Sequence, residues 1–244
     1  MSYSIPHNLD KKFTALILSG GLGTRLQHAL PDRPKVLAPV AGRPFLSYLL
    51  DQLISTGFRH VILCVGYKGK QIREAFGDKY REIIIRYSQE HEPLGTGGSL
   101  RFGLPLAATD SVFVTNGDSY VNCNLSDYLD WYFDKDLQAS LLLTYVSDTS
   151  RYGSVEIDKQ GQIVKFDEKS TSRGPGWINA GVYIFNRDLF ESIPLDKPFS
   201  LERDFFPSLV GNGLYGFQSK GVFIDIGTPE SYASAEDFFF RLAL

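Results

Sequence analysis

An apolar run, Leu16-Ile17-Leu18, ends in Ser19-Gly20-Gly21-Leu22-Gly23-Thr24-Arg25-Leu26, and Pro34-Lys35 follows a few residues on. Residues of these types in this order suit a polyphosphate. Gly20, Gly21 and Gly23 can take positive φ and carry no Cβ to hold an anion away. A turn of this kind aims consecutive backbone N–H groups at one anion. Arg25 adds a planar fork and Lys35 a movable point charge.

Two better-known glycine motifs fail here. A P-loop ends in Gly-Lys-Ser/Thr, whereas Gly69-Lys70 runs into Gln71. The dinucleotide fingerprint needs a third glycine where this chain has Leu26, and it expects an acid near the end of the second strand. Val61-Ile62-Leu63-Cys64-Val65 instead runs into Gly66-Tyr67.

With both excluded, Gly20-Gly21-Leu22-Gly23-Thr24-Arg25-Leu26 and Pro34-Lys35 resemble the signature of the sugar-1-phosphate nucleotidyltransferases. Enzymes of that family join a sugar 1-phosphate to a nucleoside triphosphate and release pyrophosphate. Their usual Pro-Lys-Pro has Val36 in place of the second proline here. Both reactants are anions, so such a site must neutralise charge and align groups, and Mg²⁺ is the cofactor the resemblance implies. That ion takes carboxylates and phosphate oxygens.

Asp118 is the first carboxylate candidate. It follows the apolar Phe113-Val114-Thr115 through Asn116-Gly117, which places an acid at a strand end, although turn aspartates also follow such residues. Asp225, between Ile224 and Ile226, is the second. A lone charge there is costly unless it is paired, metal-bound or on an exposed face. The resemblance gives these two aspartates the shared metal. It makes Arg25, Lys35, Asp118 and Asp225 the catalytic set. It assigns the nucleotide to Leu18, Gly20, Gly21, Gly23, Thr24, Arg25, Lys35, Gln89, Gly95, Thr96 and Asp118. In that assignment the Gln89 amide reads a base edge and Leu94-Gly95-Thr96-Gly97-Gly98 lies against the base. Tyr152, Gly153, Glu168, Lys169 and Asn179 are assigned to the sugar phosphate. Alone, Glu168-Lys169 would be an ordinary surface pair. The four histidines are scattered and suggest no covalent mechanism.

The elements that must position these residues follow from periodicity. Strands are expected over 13–18, 60–65, 83–87 and 112–115. Helices are expected over 44–56, 69–76, 95–104 and 125–133. Alternation of this kind builds a parallel sheet with helices on both faces, and ligands bind outside its carboxyl strand ends. The second half changes character, with strands expected over 139–146, 154–157, 162–166, 178–185, 214–218 and 222–226. A hairpin turn is expected at Asp158-Lys159-Gln160-Gly161, a serine-capped helix over 200–210, and a final helix opened by Thr228-Pro229. The expected architecture is a single α/β domain. It is a Rossmann-like, three-layer nucleotidyltransferase fold of the GT-A-like kind with a mixed central sheet. Residues 1–12 would be an N-terminal extension, about 13–136 the nucleotide half and about 137–244 the sugar-phosphate half.

Composition agrees with an ordinary water-soluble enzyme. The 244 residues are 43% hydrophobic and 22% charged, with a net charge of −3, so neither nucleic acid nor a membrane is an expected partner. Cys64 and Cys123 have no metal or redox spacing. With no signal segment at the N-terminus, the cytoplasm is the expected location. A homo-oligomer stays open. Within the family, Ala38-Pro39-Val40-Ala41-Gly42-Arg43-Pro44-Phe45-Leu46, Glu92-Pro93-Leu94-Gly95-Thr96-Gly97-Gly98, Arg151-Tyr152-Gly153 and Phe199-Ser200-Leu201-Glu202 look most like the D-glycero-D-manno-heptose 1-phosphate guanylyltransferases. That likeness implies GTP as the donor and a GDP-heptose product for bacterial surface glycans such as lipopolysaccharide or capsule. Mannose 1-phosphate guanylyltransferases and N-acetylmuramate 1-phosphate uridylyltransferases share most of these stretches. A non-catalytic sugar-nucleotide sensor on the same fold would be expected to have lost Arg25, Lys35 or an aspartate.

Overall fold

The computed structural model describes residues 9–21, 23, 25–26, 30, 32–168 and 174–242. The first half contains β1 (Phe13–Leu18), β2 (Pro39–Val40), β3 (Arg43–Pro44), α1 (Phe45–Thr56), β4 (His60–Val65), α2 (Gly69–Phe76), β5 (Lys79–Tyr80), β6 (Ile83–Gln89), α3 (Gly95–Gly103), β7 (Ser111–Asn116), β8 (Ser119–Asn122) and α4 (Leu125–Asp134). The second contains β9 (Ala139–Val146), β10 (Ser154–Ile157), β11 (Ile163–Asp167), β12 (Gly176–Asn186), α5 (Phe206–Leu209), β13 (Leu214–Ser219), β14 (Val222–Asp225), α6 (Pro229–Ala233) and α7 (Ala235–Leu242).

One ten-stranded sheet runs through the molecule. Strand β1 lies between β7 and β4, and β4 pairs β6, all parallel. On the far side of β7 the sheet turns antiparallel through β12, which also pairs β10 and β9. Successive strand residues face opposite ways. Ala15 and Ile17 therefore join a core with α1, α4 and α7, while Leu16 joins another under α3 and the 201–209 segment. The three-layer α/β fold with a mixed sheet expected from the sequence is what forms.

Four differences bear on the site. The helix expected over 200–210 is broken into a wide π-type turn at Leu201–Phe205 and the single turn of α5. Pro207 has no N–H for the carbonyl of Arg203. Ser200 still caps the segment, accepting from the amides of Glu202 and Arg203 at 3.2 Å. The final helix divides at Ser234, with Thr228 and Ser231 capping its first part reciprocally. Strand β8, hidden in the sequence between Asp118 and the next loop, pairs antiparallel with β14 in a separate ribbon. Lastly, the end of the expected N-terminal extension is docked. Leu9 is buried, and Asp10 accepts from the backbone N–H of Arg59 at 3.2 Å and lies 3.0 Å from Nδ1 of His60. No helix of the described residues is long and apolar enough to cross a membrane.

The register of β12 slips between Asn179 and Tyr183. Gly181 sits in that slip with φ of +74°, and a Cβ there would lie 2.6 Å from Ser119 Oγ and 2.9 Å from Asn116 Nδ2. Left-handed backbone and close approach both demand glycine. Gly181→Ala is therefore expected to lower stability by about 2 kcal/mol, read as a lower urea midpoint with an unchanged slope.

Candidate active site

The first cavity, about 420 Å³, opens at the carboxyl ends of the parallel strands. The turn after β1 supplies Leu18, Ser19, Gly20, Gly21 and Gly23 to its wall, and Pro93, Gly95 and Thr96 face them. Two of these glycines are required by the structure, and Gly21 is not. Gly23 has φ of +61°, Gly21 meets open space, and a Cβ on Gly20 would strike Glu90 Oε1 at 2.8 Å. Among the described residues, three of the four buried side-chain polar atoms without a partner are Ser19 Oγ, Asn116 Oδ1 and Glu90 Oε2, all from residues lining this cavity. Unpartnered buried polar atoms are rare and costly, so the cavity is built for a polar ligand.

A second cavity, about 500 Å³, is lined by Arg25, Arg151, Tyr152, Asn179 and Asp225. It shares Lys35, Asn116 and Asp118 with the first. Among the described residues, these three mark where a ligand in one cavity can meet a ligand in the other.

Backbone hydrogen bonds fix that junction. The amide of Gly117 donates to the Leu18 carbonyl at 2.9 Å, which ties the end of β7 to the end of β1. The amide of Ile226 donates to the Asp118 carbonyl at 2.9 Å, which ties in the end of β14. Asp118 and Asp225 are thereby brought from opposite halves of the chain to one cavity wall. Lys35 Nζ donates to Asp118 Oδ2 at 2.6 Å. Burial works to raise the Asp118 carboxyl, but the Lys35 ammonium, helped more weakly by Arg25, holds it below its ordinary range.

Asp225 is held on both oxygens. Oδ2 accepts from the Tyr152 hydroxyl at 2.8 Å and from Arg151 at 3.3 Å, and Oδ1 accepts from the Gly227 amide at 2.7 Å. Burial and the neighbouring carboxylate push the Tyr152 phenol up, which keeps it a donor. The set is oxygen-rich and hard, which fits a divalent cation of the Mg²⁺ kind once phosphate oxygens or water complete the coordination. Among the described residues no group of three or more His, Cys, Asp or Glu stands together as a metal cluster.

Several expected contacts differ. Gln89 does not face the first cavity. It is exposed, and its amide donates to the carbonyls of Gly66 and Glu90 at 3.0 and 3.1 Å. Successive residues at the end of β6 face opposite sides, and α3 covers the side of Ser88 and Glu90. Glu90 is therefore the one that lines the cavity. Thr96 lines it too, but its hydroxyl donates to Glu202 at 2.7 Å and accepts from the Leu201 amide at 2.9 Å. Gly95 has φ of +72° and lies against the Phe199 carbonyl. Asn179 faces the second cavity, although its amide donates to the Tyr183 hydroxyl at 3.0 Å. The Gly153 carbonyl is taken by the Asn179 amide at 3.2 Å. Glu168 is exposed at the end of β11 and is not part of either cavity wall. Thr24 and Lys169 lie outside the described residues. Glu90, Asn116 and Arg151 were not among the expected site residues.

A fold and junction of this kind belong to enzymes that bring two phosphorylated ligands together. The family model described as nucleotidyl transferase matches residues 14–240, and the chain belongs to that family. It is 38% identical over 223 residues to a D-glycero-alpha-D-manno-heptose 1-phosphate guanylyltransferase of Aneurinibacillus thermoaerophilus, covering 91% of this chain and 96% of the relative. It is 36% identical to the mannose-1-phosphate guanylyltransferase of Mycobacterium tuberculosis, covering 93% of this chain and 63% of that protein. The crystal structure of HddC from Yersinia pseudotuberculosis complexed with GMP-PN superimposes with a TM-score of 0.82 at 34% identity, covering 93% of this chain and 99% of that one. The chain is an enzyme of the sugar-1-phosphate nucleotidyltransferase class, as the glycine turn and its two cations suggested.

The Lys35–Asp118 pair has a consequence for pH. A carboxyl held below its ordinary value stabilises the fold above that value and loses the effect as pH falls through the depressed one. Lys35→Met removes that cation, so Asp118 should move back up toward its ordinary 3.8 and lose the stabilisation at neutral pH. The stability difference between wild type and Lys35→Met should be widest near pH 7 and narrow from about pH 5 to pH 3, measured by urea denaturation across that range.

Proposed function

We propose that this enzyme transfers GMP from GTP to D-glycero-α-D-manno-heptose 1-phosphate, giving GDP-heptose and pyrophosphate for surface glycan synthesis in the cytoplasm. The observation that carries this reading is the pair of cavities meeting at Lys35, Asn116 and Asp118. The likeness to heptose 1-phosphate guanylyltransferases and to HddC with GMP-PN supports the choice of substrates.

In this reading the first cavity, from the first half of the chain, takes the nucleotide, and the second takes the sugar phosphate. A sugar-phosphate oxygen forms a bond to the α-phosphorus of GTP. The bond from that phosphorus to the bridging oxygen breaks, and the electron pair leaves on pyrophosphate. A phosphate monoester has its second pKa near about 6, so the attacking oxygen is ionised at neutral pH and no side chain need remove a proton. Amides of the Gly20–Gly23 turn, together with Lys35 and Arg25, draw charge from the triphosphate. Asp118 and Asp225 would hold Mg²⁺, which when bound neutralises non-bridging phosphate oxygens. Tyr152 and Arg151 keep the Asp225 carboxylate aimed across the junction. Asn179, on the wall of the second cavity, meets a sugar hydroxyl, and the resemblance adds Glu168 for sugar hydroxyls and Lys169 for the incoming phosphate.

The decisive measurement is pyrophosphate release over a matrix of nucleoside triphosphates and sugar 1-phosphates. GTP with the heptose 1-phosphate is expected to give the highest kcat/KM. A higher value with mannose 1-phosphate would move the enzyme to the mannose branch of the family, and a preference for UTP would overturn the reading. Lys35→Met and Asp118→Asn should each lower kcat by about 10²- to 10³-fold.

A further inference from the structure

Tyr183 is fully buried in β12, yet its hydroxyl meets polar groups from β7, β12 and the turn at Leu201–Phe205. The Asn179 amide donates to it at 3.0 Å and the Asn116 amide at 3.4 Å, and it donates to Glu202 Oε1 at 3.4 Å. Glu202 Oε2 accepts from the Ser200 hydroxyl at 2.8 Å and from Thr96 at 2.7 Å. One chain of hydrogen bonds thus runs from the wall of the first cavity, at Thr96, to two asparagines on the wall of the second. The chain has a direction. A carboxylate accepts and does not donate, so Tyr183 gives its one proton to Glu202. Its oxygen can then only accept, and both asparagines must turn their NH₂ groups toward it. Burial first, and the Glu202 charge second, push the Tyr183 phenol well up, which keeps that proton in place.

We propose that Glu202 and Tyr183 are positioning residues, which set the amide of Asn116 so that its oxygen accepts a hydroxyl of the acceptor sugar. This rests on the reading that the second cavity takes the sugar phosphate. Asn179 is fixed twice, since its Oδ1 also accepts from the Gly181 amide at 2.9 Å. Asn116 is fixed once, through Tyr183, and its Oδ1 is left buried and without a partner among the described residues. An unpartnered buried acceptor wants a donor. Phosphate oxygens at neutral pH are acceptors and would be repelled, so the group that suits this atom is a hydroxyl. Asn116 and Asn179 share one anchor, and both line the second cavity. The hydroxyl is therefore assigned to the acceptor sugar and not to the ribose of the nucleotide. Neither Tyr183 nor Glu202 lines either cavity, so both act through the asparagines.

The test starts from Tyr183→Phe, which deletes one hydroxyl and keeps the ring against Phe185 and Phe206. The acceptor is whichever sugar 1-phosphate the enzyme uses best, so a wrong choice of sugar leaves the test intact. Tyr183→Phe should raise the acceptor KM about tenfold and leave the KM of the nucleoside triphosphate within about twofold. Asn116→Ala should act similarly, and the two changes together should fall short of the product of their separate effects. Monodeoxy analogues of the acceptor supply a readout that a merely structural role would not move. One of them should lose about tenfold in kcat/KM with wild type and less than about threefold with Tyr183→Phe. Glu202→Ala frees the phenol proton and should flatten the same response, a second variant if the first folds poorly. If every analogue loses the same factor in wild type and variants, or if the KM of the triphosphate rises in place of the acceptor's, the positioning role is overturned. Asn179→Ala tests the cavity assignment separately. If it raises the acceptor KM while Tyr183→Phe does not, the assignment of the cavity stands and that of Tyr183 falls. If it leaves the acceptor KM unchanged, both fall.

Discussion

Everything that touches chemistry in this molecule hangs from the backbone at the end of β7. The Gly117 amide donates and the Asp118 carbonyl accepts the hydrogen bonds that hold β1 and β14 against that strand end. The Asp118 carboxylate then takes Lys35, the one cation among the described residues that lines both cavities. A partly desolvated ion pair of this sort is a poor source of stability, and it is better understood as a device for position. It holds a cation and an anion at fixed places on the line between two phosphate-bearing ligands before either arrives. Preorganised charge of this kind acts without reorganisation at the moment of reaction.

The fold around this point is asymmetric for a reason. Parallel strands with crossovers put the first set of loops at one sheet edge. The slip in β12 at Gly181 lets an antiparallel strand run against β7 without driving a side chain into Asn116 and Ser119. The second half of the chain can therefore close over the same strand ends from the opposite direction. Buried free Cys64, its thiol pushed up to about 12 by burial, takes no part; it fills the core beneath α3.

Much of this was legible in the chain. Apolar runs of the right length fixed β1, β4 and β9 to the residue, and the opening glycine turn with Arg25 and Lys35 carried the resemblance to the nucleotidyltransferases. Asp118 could be singled out because an acid directly after a buried strand has few bland explanations. Gln89 and Glu90 could not be told apart, since which of two adjacent polar residues faces a cavity depends on the helix that covers one side of the strand end. Strand β14 was expected, but its partner β8 escaped notice because four residues carry too little periodicity, and with it the ribbon the two form. The break at Pro207 is visible in hindsight, but a serine cap and an apolar stripe spoke for a continuous helix.

The carbonyl of Phe199 accepts from the amides of Gly97 and Gly98 at 3.0 and 3.2 Å, and Thr96 is tied to Glu202. The first cavity's wall at Gly95 and Thr96 is thus braced by residues from the second half of the chain. In evolutionary terms the two halves are not interchangeable modules. A relative that drifts in the 199–205 segment also shifts α3, and with it the wall opposite the glycine turn. The shape of the first cavity is a property of both halves together, and lineages that alter one half must re-tune the other.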